Sequence, residues 1–202
     1  MSCLGAPISN AKSNHGRVRS IELRSFSERL IGAARLDVAV YEEVEADTSA
    51  TGQAMGVVLL SSLAGGLGAP VLAGAGVSGF VLGGIAALIG WGTWAFLTYI
   101  IGTRVLAEPQ TRADVGELLR TTGFAQAPGI LRAFGGIAGL GPILLTIVSI
   151  WMLVAMVIAV RQALDYSTTG RAVGVCLIGW FISIVTSLAL LSFLGLGATA
   201  ES

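Results

Sequence analysis

Side chains that carry most enzyme chemistry are scarce in this sequence. Its one histidine is His15 and its one lysine is Lys12, both near the amino terminus. A Ser–His–Asp or Ser–Lys arrangement needs such a base within hydrogen-bond reach of the nucleophile, so neither can be built inside an apolar core. Cys3 and Cys176 are far apart and make neither a disulfide framework nor a metal spacing. Metal sites need clustered His, Cys or carboxylates, and every Asp and Glu lies outside the long apolar stretches. That distribution removes an intramembrane aspartate pair and weakens proton-coupled transport, which uses carboxylates or histidines along a path. No glycine loop carries the Lys-Ser/Thr that cradles phosphates. The expectation is a protein that is not an enzyme and has no cofactor and no metal.

The polar side chains that remain are suited to recognition. RQALDYSTTGR offers Arg161, Asp165, Tyr166 and Arg171; Arg161 and Asp165 are one helical turn apart and able to pair, and Tyr166 could anchor at lipid headgroups. EPQTRADVGELLRTT adds Arg112, Asp114 and Glu117. These seven are the candidate partner-facing residues. The apolar stretch GFAQAPGILRAFGG holds Gln126 and Arg132. An arginine in mid-bilayer costs about 2.5–3.5 kcal/mol. Arg132 is therefore expected either to snorkel or bond carbonyls freed near Pro128, or to serve a functional site.

The elements that must position these residues are written in the charge pattern. The chain has 202 residues, 54% hydrophobic and only 12% charged, with mean hydropathy +0.81. Soluble domains carry about 25% charged residues. No Asp, Glu, Lys or Arg occurs from Thr48 to Thr103, from Ala133 to Val160 or from Ala172 to Ala200. About 20 apolar residues of helix span about 30 Å of hydrocarbon, so the fold class is all-α, a polytopic transmembrane helical bundle. The short alternating segments of a β-barrel are not seen. A formal net charge of zero gives no basic surface for nucleic acid. The first fifty residues are polar and do not resemble a signal peptide. Arginine outnumbers lysine eleven to one, a bias typical of GC-rich bacterial genomes.

Residues 1–21 read as a disordered polar tail. Residues 22–47 read as an amphipathic helix, with Ser25 and Glu28 as a capping box and Phe26, Leu30, Ala33, Val40 and Val44 on one stripe. It lies either along the bilayer interface or on the protein's own cytoplasmic face. A transmembrane domain follows over 48–197, with spans at about 51–72, 79–103, 122–140, 142–163 and 172–196, and a tail at 198–202. Gly79, Gly83, Ala87 and Gly90 form a small-residue packing face, and Trp91, Trp94 and Tyr99 an aromatic belt. Asp114 to Leu119 reads as a short surface helix.

The span at 122–140 rests on charge. If it crosses, eleven basic residues lie on one side, in the amino-terminal segment and the loops at 104–121 and 161–171, and none on the other. That is a positive-inside pattern with the amino terminus cytoplasmic and the carboxyl terminus outside. If it only dips into the bilayer, Arg161 and Arg171 are forced outside.

ERLIGAARLDVAVYEEVEAD before the first span, GFAQAPGILRAFGGIAGLG, and WMLVAMVIAVRQALDYSTTGRAVGVCLIGW together resemble bacterial members of the Yip (Ypt-interacting protein) domain family. The resemblance runs from Phe26 to Leu196, and VRQALDYSTTGRA, Val160 to Ala172, is its most specific part. It implies a five-span domain with a cytoplasmic amino terminus. Eukaryotic relatives associate with Rab-type GTPases in membrane trafficking and membrane shaping, and carry Asp-Leu-Tyr-Gly-Pro before the first span. This chain lacks that motif and offers Leu36, Asp37 and Tyr41 nearest to it. The expected function is a non-enzymatic protein of a bacterial cytoplasmic membrane that organises partner proteins or the bilayer, with a homo-oligomer among its assemblies. The alternatives are a small transporter or channel component and an accessory subunit of a larger membrane complex. A transporter would line one continuous cavity with Ser61, Ser62, Thr93, Thr98, Gln126, Arg132, Thr146, Ser149, Ser183, Thr186 and Ser187.

Overall fold

A computed structural model describes the backbone of residues 24–68 and 76–193 and the side chains up to Thr186. The expected tails at 1–21 and 198–202 lie outside the described residues. Seven α-helices are seen among them: α1 (Phe26–Ala34), α2 (Val38–Ala46), α3 (Thr51–Gly68), α4 (Gly76–Ile100), α5 (Val115–Phe124), α6 (Gly141–Ala163) and α7 (Thr169–Phe193). Four of the helices are long and apolar enough to cross a membrane: Thr48–Gly68, Gly76–Val105, Gly141–Ala163 and Thr169–Thr186. Their outer faces carry rows of exposed Val, Leu, Ile and Phe, such as Ile143, Ile147, Ile150 and Leu153 on α6. Water would drive such faces together; lipid covers them at no cost.

The amphipathic segment is two helices rather than one. Ser25 and Glu28 do form the capping box that starts α1, with the Ser25 amide donating to Glu28 at 2.7 Å. The helix ends at Arg35, because Leu36 adopts φ +64° and Asp37 donates its amide to Gly32 O. This 6→1 bond and the Leu36 amide to Ala33 O close a Schellman turn. Asp37 then caps α2 by accepting from the Ala39 amide at 3.0 Å. The apolar stripe faces protein, not lipid: Ala33, Val40, Tyr41 and Val44 are buried against Ala54, Val57, Phe124, Ala155 and Ala159. Trp151, near the middle of α6, donates to Ala34 O at 2.8 Å. Of the two placements the sequence allows, α1 and α2 take the one on the bundle.

The stretch expected as a third span is not a continuous α-helix. α5 ends at Phe124, and Ala127–Gly136 is a ten-residue 3₁₀ helix. Such helices seldom exceed 3–4 residues because their hydrogen bonds are poorer. Pro128 at its first turn lacks an amide, and the glycines let it press between α3 and α6. A Cβ at Gly123 would lie 2.8 Å from the Ala54 methyl, and one at Gly129 2.0 Å from the Ser61 hydroxyl. At Gly68 a Cβ would lie 2.0 Å from Arg132 O. The contacts climb together, 123 with 54, 129 with 61 and 132 with 68, so this segment runs beside α3 in the same direction. α6 runs the opposite way, with Leu145 beside Gly135 and Met152 beside Gly129.

The bundle therefore has a polar end, where α1, α2, α5 and the loops at 106–114 and 164–168 gather. The buried row of α4 is Gly84, Trp91, Ala95 and Thr98. Of the expected small-residue face, Ala87 packs against the core, while no described atom lies within 4 Å of a Cβ at Gly83 or Gly90. Trp91 likewise belongs to the core, where its indole donates to Thr122 Oγ1 at 3.2 Å, and not to an interfacial belt.

Candidate functional site

At the polar end, buried arginines fasten the cap to the bundle. Arg29 is 1% exposed and reaches three partners from α1: Glu43 at 2.9 Å, Asp47 at 2.7 Å and the Gln53 carbonyl at 3.1 Å. Burial alone would lower its pKa, but the hydrogen bonds it donates to Asp47 and Glu43, with their negative charge, outweigh burial and raise it. Arg120 of α5 donates to the carbonyls of Val44, at 2.9 Å, and Glu45. These are orphan acceptors at the end of α2, which a cation satisfies well.

Most of the expected partner-facing residues hold the fold. Asp114 and Glu117 form the capping box of α5, each accepting the other's amide at 2.8 Å. That helix continues to Phe124, well past Leu119, and buries Leu118, Arg120 and Thr121. Arg171 is held by Glu108 at 2.9 Å and by the carbonyls of Leu106 and Ala107, both at 3.1 Å. Glu108 also accepts from the Ser167 amide and hydroxyl, each at 3.0 Å. The Ser167 amide chiefly holds its pKa below the usual carboxylate value, with the Ser167 hydroxyl and Arg171 adding to it.

Tyr166 is 4% exposed and is no headgroup anchor. Its hydroxyl donates to Gly102 O at 2.9 Å, within a π-helical turn, Ile101–Val105, that ends α4. A π turn shifts the hydrogen-bond register and loosens the carbonyls around it; the tyrosine supplies a donor there. Burial pushes its pKa up to about 12. The expected Arg161–Asp165 pair does not form. α6 stops at Ala163, Asp165 takes φ +51°, and Arg161 donates to Tyr166 O at 3.3 Å instead. Asp165 and Arg112 are exposed.

Burial raises the Glu45 pKa to about 7, helped by Asp165, Glu117 and Glu42 and opposed by Arg120. Sequence reasoning missed Arg29, Glu45, Glu108 and Arg120. The partners of Arg29 and Arg120 lie 14 to 76 positions away and Ser167 lies 59 from Glu108; no local spacing reports that.

Inside the bundle, a cavity of about 340 Å³ opens between α3, α4, the 3₁₀ segment and α6. Ser61, Ser62, Gln126 and Arg132 line it, and Gly90 and Trp94 stand at its α4 wall. The Arg132 stem passes Gly65, where a Cβ would lie 3.8 Å from its Cδ. None of these four polar side chains hydrogen-bonds or ion-pairs with another described residue. Trp94 Nε1 is also buried without a partner. Gln126 and Arg132 are thus brought together, six positions apart, but neither bonds the carbonyls near Pro128.

Among the described side chains, the other polar residues of the apolar stretches do not line this cavity, and Ser187 lies outside them. Thr146 and Ser149 are exposed and donate to Pro142 O at 2.9 Å and Leu145 O at 2.7 Å on their own helix. Thr93 and Thr186 are exposed on outer faces, and Thr98 is buried. Among the described residues, no group of three or more His, Cys, Asp or Glu is placed to hold a metal ion. Comparison with known proteins gives no match to a family model, to a curated protein or to a solved structure.

Proposed function

We propose that the chain is a five-pass, non-enzymatic membrane protein whose polar end docks another protein, organising that partner or the bilayer beside it. The carrying observation is the polar cap. Arg29 and Arg120 lock α1, α2 and α5 to the bundle, while Arg112 and Asp165 stand exposed on adjoining loops. A rigid charged face costs little ordering entropy when a partner arrives.

The fifth crossing is supported by register. The chain from Gly123 to Gly136 keeps pace with α3 from Ala54 to Gly68. From Ala54 to Gly68 α3 rises about 21 Å, and the segment beside it covers that distance between Gly123 and Gly136. Irregular backbone at that depth is tolerated because α3 and α6 cover it. With basic residues gathered at the polar end, that end is cytoplasmic. The Yip-type architecture suggested by the sequence fits the same five crossings, and membrane trafficking or shaping is the class of role it brings.

The test is crosslinking in native membranes followed by mass spectrometry of the full-length protein. A reproducible protein partner is expected, with crosslinks near Arg112 and Asp165. The double reversal Arg112→Glu, Asp165→Lys should reduce its recovery severalfold, while the membrane content of the protein stays constant. Recovery of no reproducible partner would sink the docking role.

A further inference from the structure

We infer that the cavity around Arg132 is a lipid site, taking the monoanionic oxyanion of a membrane amphiphile, a phosphodiester or a carboxylate. Four polar side chains converge there with no partner among the described residues, and they come from two separate elements: Ser61 and Ser62 from α3, Gln126 and Arg132 from the segment packed on it. Their chemistry is that of an anion receptor. A guanidinium supplies one positive charge and a planar fork that matches an oxyanion. Two hydroxyls and an amide supply neutral donors around it.

No acidic residue lines the cavity, and α3 and α4 carry no Asp or Glu between Thr48 and Thr103. Nothing in the wall therefore competes for the arginine. One cation among neutral donors favours a single negative charge over two. The cavity, about 340 Å³, falls at the lower end of the range of small-molecule sites, about 300–1,000 Å³. It accommodates a headgroup but not a whole lipid, so the acyl chains must leave it.

The exit is beside α4. Gly90 is exposed and no described atom lies within 4 Å of its Cβ position. The neighbouring outer row of α4, with Val81, Leu82, Ile85 and Ile89, is exposed and apolar. The depth suits an amphiphile of the cap-side leaflet. Val58, Trp94 and Met156 of the lining lie seven, six and seven residues, about 9–11 Å, from the cap-side ends of α3, α4 and α6. From Gly90 the exposed row of α4 runs away from the cap, the direction the acyl chains of that leaflet take.

The experiment uses the full-length protein, purified and delipidated in mild detergent, with bound lipid counted by native mass spectrometry. The probes are phosphatidylglycerol and oleate as anionic amphiphiles, phosphatidylcholine as the zwitterionic comparison, and inorganic phosphate and acetate as free ions. The wild type should retain the anionic amphiphiles at least tenfold more tightly than phosphatidylcholine, and the free ions should not displace them at millimolar concentration. Arg132→Gln should abolish that preference, whereas Arg104→Gln, on the exposed end of α4, should leave it unchanged. Gly90→Phe keeps Arg132 but fills the exit into open space, so it should abolish retention even if Arg132→Gln fails to fold. Unchanged preference in Arg132→Gln, or unchanged retention in Gly90→Phe, would overturn the lipid site. Full displacement by phosphate or acetate would assign the cavity to a free ion and overturn it equally.

Discussion

Arg29 shows how one side chain can decide the amino-terminal third of the described structure. Its guanidinium is buried, and it joins α1 to α2 and α3 through Glu43, Asp47 and Gln53. Removing one partner of a buried ion pair costs about 3–5 kcal/mol, because the others stay desolvated and unpaired. Arg29→Met should therefore lower unfolding stability by about that amount in a thermal or denaturant melt of the purified protein. Arg29→Lys should recover only part of it, since an ammonium lacks the planar fork.

Two carboxylates of the same cap should respond to pH in opposite directions. For Glu45 the unfolded carboxyl titrates near 4.5 and the folded one near 7. Folding therefore favours its protonated form, and the stability it contributes is lost as pH rises from about 4.5 to about 7. Glu45→Gln should raise Tm at pH 8 and change it little at pH 4. Glu108 is held below its ordinary value. It stabilises above about 4.5, and its clasp on Ser167 and Arg171 is lost as pH falls through the lowered pKa. A Tm-against-pH series on the wild type, Glu45→Gln and Glu108→Gln separates the two. The capping box of α1 was legible in sequence, because Ser25–Glu28 sits at the required spacing. Asp114 and Glu117, expected to face a partner, cap α5 instead. The Arg29 and Arg120 contacts were not legible, because only folding brings their partners near.

At the scale of elements, the four long apolar helices follow from length and missing charge alone, and their starts match expectation within about three residues. The segment from Gly123 to Gly136 departs from the continuous helix that hydropathy suggests. Pro128 and the close glycines signalled a weak helix, but the α3 backbone that fixes its path is invisible to any local pattern. Glycine substitutions test that path. Gly68→Ala must push Arg132 O away, since the added carbon would lie 2.0 Å from it, whereas Gly56→Ala meets no described atom within 4 Å. Overpacking costs about 1–3 kcal/mol, so Gly68→Ala should lower Tm by several degrees and Gly56→Ala should not. The π turn at the end of α4 was likewise hidden in sequence. Tyr166→Phe removes the donor to Gly102 O, and a buried acceptor left unpaired costs about 1–3 kcal/mol.

The whole molecule is asymmetric along its bundle axis. Charged and capping residues gather at one end, and the opposite part carries exposed apolar rows, with Arg132 as its isolated charge among the described residues. The proposed cytoplasmic end rests on charge counting, and the proposed fifth crossing on the register of Gly123–Gly136 along α3. Everything proposed for the polar face depends on this polarity, since a partner docks there only if its loops share one compartment. The decisive measurement is thiol labelling in intact membrane vesicles, using single cysteines on a Cys3→Ser, Cys176→Ala background. Ala138→Cys, between the 3₁₀ segment and α6, and Thr168→Cys, between α6 and α7, are both at exposed positions. With five crossings, an impermeant reagent labels Thr168→Cys only from the cytoplasmic side and Ala138→Cys only from the other. Labelling of Ala138→Cys from the cytoplasmic side, with Thr168→Cys labelled only from the other, would contradict the crossing and the polarity built on it.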